Sequence, residues 1–136
     1  SFKGELLGGT HDLDTNTIKI ALIKSGESGT YGAATTNYSN VTGNSDEASG
    51  TNYSSGGNTL ASAAISTSGT TALLDFADTT WSNATISAAG AVIYNSSQSN
   101  KAIAVISFGG TVASTAGDFT VSFPAADASN AIVRIA

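Results

Sequence analysis

The segment FTVSFP, residues 119–124, alternates apolar and polar side chains more cleanly than any other part of the chain. In an extended strand successive side chains point to opposite faces, so Phe119, Val121 and Phe123 share one face and the hydroxyl residues between them share the other. Pro124 lacks a backbone N–H and is expected to end the hydrogen-bonded ladder. The segment therefore predicts a β-strand with one face turned to a core.

The same period of two recurs along the chain, whereas the helical i, i+3, i+4 spacing of apolar residues is almost absent. We therefore predict an all-β fold, a single antiparallel β-sandwich domain over residues 1–136. The jelly-roll-like form of this sandwich is what the resemblance described below implies. The other predicted strands are TIKIALIK (17–24), NTLASAAIS (58–66), TALLDF (71–76), TISAAGAVIYN (85–95), KAIAVISF (101–108) and AIVRIA (131–136).

The strand predicted at 101–108 is apolar on both faces, with Ile103 and Val105 on one and Ala104 and Ile106 on the other. Strands of this kind lie where both faces are covered, which predicts a central position in the sheet. The polar stretch NSSQSNK before it has the length of a hairpin loop. We therefore predict antiparallel pairing of 85–95 with 101–108.

Residues 25–57 contain few apolar side chains and form a stretch too long for an ordinary connection. We predict a long loop excursion that is a functional loop, an interface segment or a mobile segment. Its tyrosines, Tyr31, Tyr38 and Tyr53, offer large contact areas with a polar end, as interface residues do. Two interpretations stay open: these rings contact a partner, or they cover the edge of the chain's own core.

Composition narrows the function classes. Ten acidic residues against five basic ones give a formal net charge of -5, and the bases are scattered. Direct binding to nucleic acid is therefore not expected, because that affinity comes mainly from clustered phosphate neutralisation. No apolar run has the length of a membrane span, so no membrane partner is predicted. The absence of cysteine excludes disulfides and thiolate metal sites.

The stretch HDLDTN, residues 11–16, begins like a calcium-binding EF-hand loop. Oxygen ligands fit at Asp12, Asp14 and Asn16, but Thr17 replaces the required glycine and Ile23 replaces the closing glutamate. We therefore interpret it as a polar turn whose carboxylates cap backbone donors, with no metal.

No set of residues predicts an enzyme. His11 is the only histidine, no GxSxG or nucleotide-binding motif is present, and a lone histidine beside a turn is expected to be a surface or capping residue. Asp75 and Asp78 stand close to Trp81, yet one strand and its turn do not place two carboxylates across a glycosidic bond. Trp81 is expected to close one end of the core, with sugar stacking as an alternative. No catalytic residue and no cofactor is predicted.

Several stretches in order resemble a family of small structural proteins encoded by tailed bacteriophages. They are HDLDTNTIKIALI (11–23), GTNYSSGGNTL (50–60), FADTTWSNATISAAGAVIYN (76–95), AIAVISFGG (102–110) and FTVSFP (119–124). The resemblance covers most of the chain outside residues 25–49. In the family a basic residue often precedes the glycine of the ISAAGAVIY segment, where this chain has Ala89.

The resemblance implies a capsid decoration or cement protein, a β-sandwich or jelly-roll module on the outer surface of the virion head. Its implied partner is the major capsid protein, whose neighbouring subunits it would clamp, and it would itself form a trimer or dimer. A tail or fibre component and a carbohydrate-binding module acting through Trp81 are the alternatives. We further predict that residues 1–10 form an N-terminal arm, with Phe2, Leu6 and Leu7 as its contacts.

Overall fold

The computed structural model describes residues 1–136 as two antiparallel β-sheets with two short helices, which confirms the all-β sandwich. The jelly-roll form of it stays a prediction. The elements are α1 (Phe2–Leu7), β1 (Ile18–Lys24), α2 (Ser39–Gly43), β2 (Asn58–Thr59), β3 (Ala64–Ser68), β4 (Thr71–Asp75), β5 (Thr79–Asn95), a 3-10 turn (Ser96–Gln98), β6 (Lys101–Val121) and β7 (Val133–Ile135).

The strands are arranged in a four-stranded sheet of order β2-β1-β5-β6 and a three-stranded sheet of order β3-β4-β7. β5 and β6 form the predicted antiparallel hairpin, in which Asn95 lies opposite Lys101 and Val92 opposite Val105. Ser99 and Asn100 take positive φ values of 53° and 60° in the connection, as tight turns often require.

β6 is one strand of 21 residues where the sequence predicted two, at 101–108 and 119–124. The pairing register slips between Ala88↔Val112 and Gly90↔Ser107, so residues 108–111 lie outside the ladder. Gly109 and Gly110, with φ of 76° and 155°, allow this excursion and let the strand resume beyond it. The prediction of two separate strands was therefore wrong. The predicted inward face of the second half is confirmed, because Phe119 and Val121 are buried.

The central position predicted for residues 101–108 is also wrong, because β6 lies at the edge of its sheet. Both faces of this stretch are nevertheless partly covered: Ala104 and Ile106 pack against one core cluster and Val105 against another. The two apolar faces of this stretch are thus explained by the core clusters that cover the sheet on its two sides. They do not require a neighbouring strand on both edges.

The strand predicted at 58–66 is divided between the two sheets. β2 pairs with β1, and β3 pairs with β4. Ser62, with a φ of 57°, lies in the break between them. A single run of weakly apolar residues therefore serves to cross from one sheet to the other.

The core has two clusters on opposite faces of the four-stranded sheet. Along β1, Ile20 and Leu22 belong to the main cluster of 17 buried residues, whereas Ala21 and Ile23 belong to a second cluster of six. Val41 of α2 joins the second cluster, so the long excursion forms a layer over the outer face of this sheet. The three-stranded sheet contributes Leu74 to the main cluster.

Candidate interaction surfaces

The excursion at 25–57 is held by the carboxylate of Glu47, which accepts four hydrogen bonds. The Tyr53 hydroxyl and the Gly56 N–H donate to Oε1 at 2.9 and 2.6 Å. The hydroxyls of Tyr38 and Ser55 donate to Oε2 at 2.6 and 2.8 Å. Charge-assisted hydrogen bonds are stronger than neutral ones, so this one side chain gathers the second half of the excursion.

Asp46 holds the first half in the same way and is fully buried. Its carboxylate accepts from the Tyr31 hydroxyl at 2.5 Å, from the Gly29 N–H at 2.8 Å and from the Ser28 N–H at 3.0 Å, and it pairs with Lys24 Nζ at 3.1 Å. The Tyr31 hydrogen bond, more than the backbone amides and Lys24, keeps the pKa of this carboxyl well below its usual value. Burial alone would have raised it.

The three predicted contact tyrosines turn towards the chain's own sheet. Tyr38 stacks on Tyr94 with ring centroids 4.5 Å apart, and Tyr53 lies 5.8 Å from Trp81. The Tyr53 hydroxyl also accepts the Leu22 N–H at 2.9 Å. Burial raises the pKa of both Tyr53 and Tyr94. This geometry favours the interpretation in which Tyr31, Tyr38 and Tyr53 cover the core, and their contact with a partner stays a prediction.

The N-terminal residues fold back as α1 onto the main core. Phe2 and Leu6 pack against that cluster, whereas Leu7 is 90% exposed. Glu5 accepts from Lys101 Nζ at 2.8 Å, and this contact lowers the pKa of Glu5. In the single chain, residues 1–10 are therefore anchored to β6, and their role as an arm towards a neighbour stays a prediction.

His11 is buried, against the surface or capping position expected for it. Its Nε2 lies 3.2 Å from Glu5 Oε2 and its Nδ1 lies 3.1 Å from Asn95 Nδ2. Because the Asn95 amide nitrogen is a donor, Nδ1 accepts and Nε2 carries the proton directed at Glu5. The correction has a physical reason: α1 closes over the ring, and no local pattern in the sequence shows that contact.

Trp81 is 3% exposed and packs on Phe119 at a centroid distance of 6.0 Å. A ring this buried offers no face to a sugar, so the core interpretation of Trp81 is confirmed.

The carboxylates near Trp81 in the sequence accept hydrogen bonds from the backbone: Asp75 accepts from the Phe76 N–H and Asp78 from the Phe123 N–H. The turn at HDLDTN is similar, since Asp12 accepts the N–H groups of Asp14 and Thr15, both at 3.2 Å.

Two exposed apolar surfaces remain, and sequence reasoning missed most of both. The first, which we call the end patch, is a groove of about 340 Å³ lined by Leu6, Ile65 and Ile135 among others. Ile65 and Ile135 are 59% and 53% exposed, and the strongly exposed Leu7 follows Leu6. Both isoleucines belong to short strands. In such strands the alternation of apolar and polar residues does not show which face is left exposed to solvent.

The second surface, which we call the β6 edge, comprises residues 103–107 and the grooves beside them. One groove, of about 700 Å³, lies between this edge and α1. The other, of about 520 Å³, extends towards Phe123 and Ile132. Ala104 and Val105 line both grooves, so they meet along the strand.

No protein-family model, no curated protein and no solved structure matches the chain. No group of three or more metal-ligating side chains occurs in the structure. Neither helix has the length and apolar character that crossing a bilayer requires.

Proposed function

We propose that the chain is a bacteriophage virion structural protein, most specifically a head decoration protein that binds the outer capsid surface. The ordered stretches that resemble the phage family support this proposal. The observation in the structure that carries it is the end patch, where Ile65 and Ile135 are both more than half exposed. Exposed apolar surface of this kind is typical of a site for another protein.

The hydrogen bonds by which Asp46 and Glu47 hold residues 25–57 are compatible with that role. A decoration protein stabilises a shell because it binds the assembled state and not the free subunits, and many copies add their effects by mass action. A stiff module loses little conformational freedom when it binds. Glu47 and Asp46 supply that stiffness in the largest irregular segment of the chain.

The decisive test is quantitative mass spectrometry of density-purified particles of the encoding phage, with the major capsid protein as internal reference. A ratio near one copy per capsid subunit, or a sizeable fraction of it, supports decoration. A few copies per particle would instead assign the chain to the tail or a fibre. Absence from particles would refute a virion role.

A second test asks whether the end patch is the capsid contact. Ile135→Lys should abolish co-sedimentation with particles that lack the native protein, because a lysine in an apolar interface leaves a buried, unpaired charge. Ser66→Lys is the matched control: Ser66 is exposed on the same small sheet, and its pairing with Leu73 places it on the face opposite Ile65. Equal binding by both variants would eliminate the end patch as the contact.

A further inference from the structure

Along residues 102–107 the β6 edge lacks the charged residues and the proline that commonly protect the edge of a sheet. From Ala102 to Gly117 the strand has no charged residue and no proline. Natural edge strands are commonly guarded by lysine, proline or a covering segment, because their free N–H and C=O groups pair readily with another chain. An unguarded edge flanked by apolar side chains indicates that something covers it in the functional state.

Only the beginning of this edge is covered within the chain. Asn37 bridges to Lys101, and the Ala102 N–H donates to the Thr36 carbonyl at 2.9 Å. Beyond Ala102 no strand continues the sheet. The edge from 103 to 107 is therefore open along its length, and the two grooves beside it meet at Ala104 and Val105.

The charges beside this edge are polarised along it. Lys3 lines the groove next to Ala102–Val105, whereas Glu27 borders a smaller groove that crosses the face of the sheet from Ile23 to Val105–Ser107. Neither Lys3 nor Glu27 forms a salt bridge within the chain. A second copy in antiparallel orientation brings the Lys3 end of one chain to the Glu27 end of the other. Parallel pairing would place like charges together.

We propose that the β6 edge binds a second copy of this chain, so that residues 103–107 of two copies pair antiparallel about a two-fold axis. Such a contact is self-complementary, as closed dimers require, and joins the two four-stranded sheets into one. Residues 103–107 would then be covered on the side where the single chain leaves them open. The proposal does not depend on capsid binding, since it concerns the purified protein alone.

The first experiment is sedimentation equilibrium from about 1 µM to about 1 mM, a range that covers weak and strong dimers. The mass should rise towards twice the chain mass of 13.5 kDa. Val105→Lys should weaken the dimer at least about tenfold, because the lysine is desolvated without a partner. The control Ile135→Lys, on the other sheet, should not. A monomer throughout the range, or a dimer lost only in Ile135→Lys, would overturn the proposal.

The second experiment keeps the test valid if Val105→Lys folds poorly. The chain has no cysteine, so single cysteines at positions 103 to 107 report only the engineered contact. One position, or two adjacent ones, should form a disulfide-linked dimer under mild oxidation, because only residues near the axis bring Cα atoms within about 7 Å. Ile135→Cys is the control. Equal cross-linking at all positions and in the control means random collision and refutes the pairing.

The antiparallel orientation of the two copies is tested separately, by exchanging charges. Glu27→Lys should weaken the dimer a few-fold at low salt, and the double exchange Lys3→Glu with Glu27→Lys should restore it. Failure of the double exchange to restore binding, with the dimer otherwise intact, would refute the antiparallel arrangement.

Discussion

The ring of Tyr38 stacks on the ring of Tyr94, with planes 7° from parallel and centroids 4.5 Å apart. Their hydroxyls donate to Glu47 and to the Gly56 carbonyl, at 2.6 and 2.8 Å. This pair joins the long excursion to β5 by packing and by hydrogen bonds at once. The excursion is therefore part of the folded core, and its interactions can be tested as such.

Glu47→Ala should lower the free energy of unfolding by about 2–4 kcal/mol, because several hydrogen bonds to a carboxylate are lost and the Gly56 N–H is left without its acceptor. Urea denaturation followed by Trp81 fluorescence measures this change. The control is Glu27→Ala, an exposed carboxylate without a salt bridge, which should change stability by less than about 0.5 kcal/mol. Similar losses in both variants would show that the four hydrogen bonds contribute little.

Gly57→Ala should destabilise the fold by more than about 3 kcal/mol, since the backbone must move in addition to taking a strained φ. Gly57 has a φ of +69°, and a Cβ there would lie 1.9 Å from the Ile20 carbonyl oxygen. Gly69→Ala is a close match, with a φ of +61° and open space around the new atom. It should cost only about 1–2 kcal/mol, for the left-handed backbone alone. The difference in melting temperature between the two variants measures the cost of steric overlap beyond that of backbone strain. Equal melting temperatures would contradict the close contact between position 57 and the Ile20 carbonyl oxygen.

Acid should unfold the protein partly through Asp46. Its pKa in the folded state lies below its value in the unfolded chain, so the stability it contributes is present at neutral pH and is lost as the pH falls below about 4. Asp46→Asn should lower stability at pH 7 and flatten the decline between about pH 5 and pH 2, although Glu5, Asp12 and Asp127 shift in the same direction. Asp14→Asn, at an exposed carboxylate, is the control for the substitution itself and should change the stability at pH 7 by less than about 0.5 kcal/mol. A profile of Asp46→Asn parallel to that of the native chain would count against this assignment.

Substitutions at the two ends of α1 should distinguish an effect on folding stability from an effect on particle binding. Phe2→Ala should cost about 1–3 kcal/mol, because the ring packs on the main core and lies 5.2 Å from His11. Leu7→Ala should change stability by less than about 0.5 kcal/mol, because that side chain is almost fully exposed. If Leu7 belongs to the capsid contact, particle binding should weaken in Leu7→Ala at unchanged stability. Deletion of residues 1–8 with undiminished particle binding would remove α1 from that contact altogether.

The alternation of apolar residues predicted the fold class, the hairpin and the approximate bounds of β1 and β4. These features depend on which face each side chain takes, and a strand places successive side chains on opposite faces whatever its neighbours are. FTVSFP predicted its inward face for the same reason. The alternation carried no information on which strand lies at an edge, so the central position expected for 101–108 was wrong.

The sequence by itself determined that this chain is an antiparallel β-sandwich, because strand periodicity is a local property of the backbone. Only the tertiary structure decided how residues 25–57 are held, since Asp46 and Glu47 accept hydrogen bonds from donors distant in the chain, such as Ser28, 18 residues from Asp46. It also decided that β6 is one open-edged strand and that His11 lies beneath α1. These contacts join residues distant in sequence, as in the pair Lys101 and Glu5, 96 positions apart. Such pairs form only when the sheets have already brought them together.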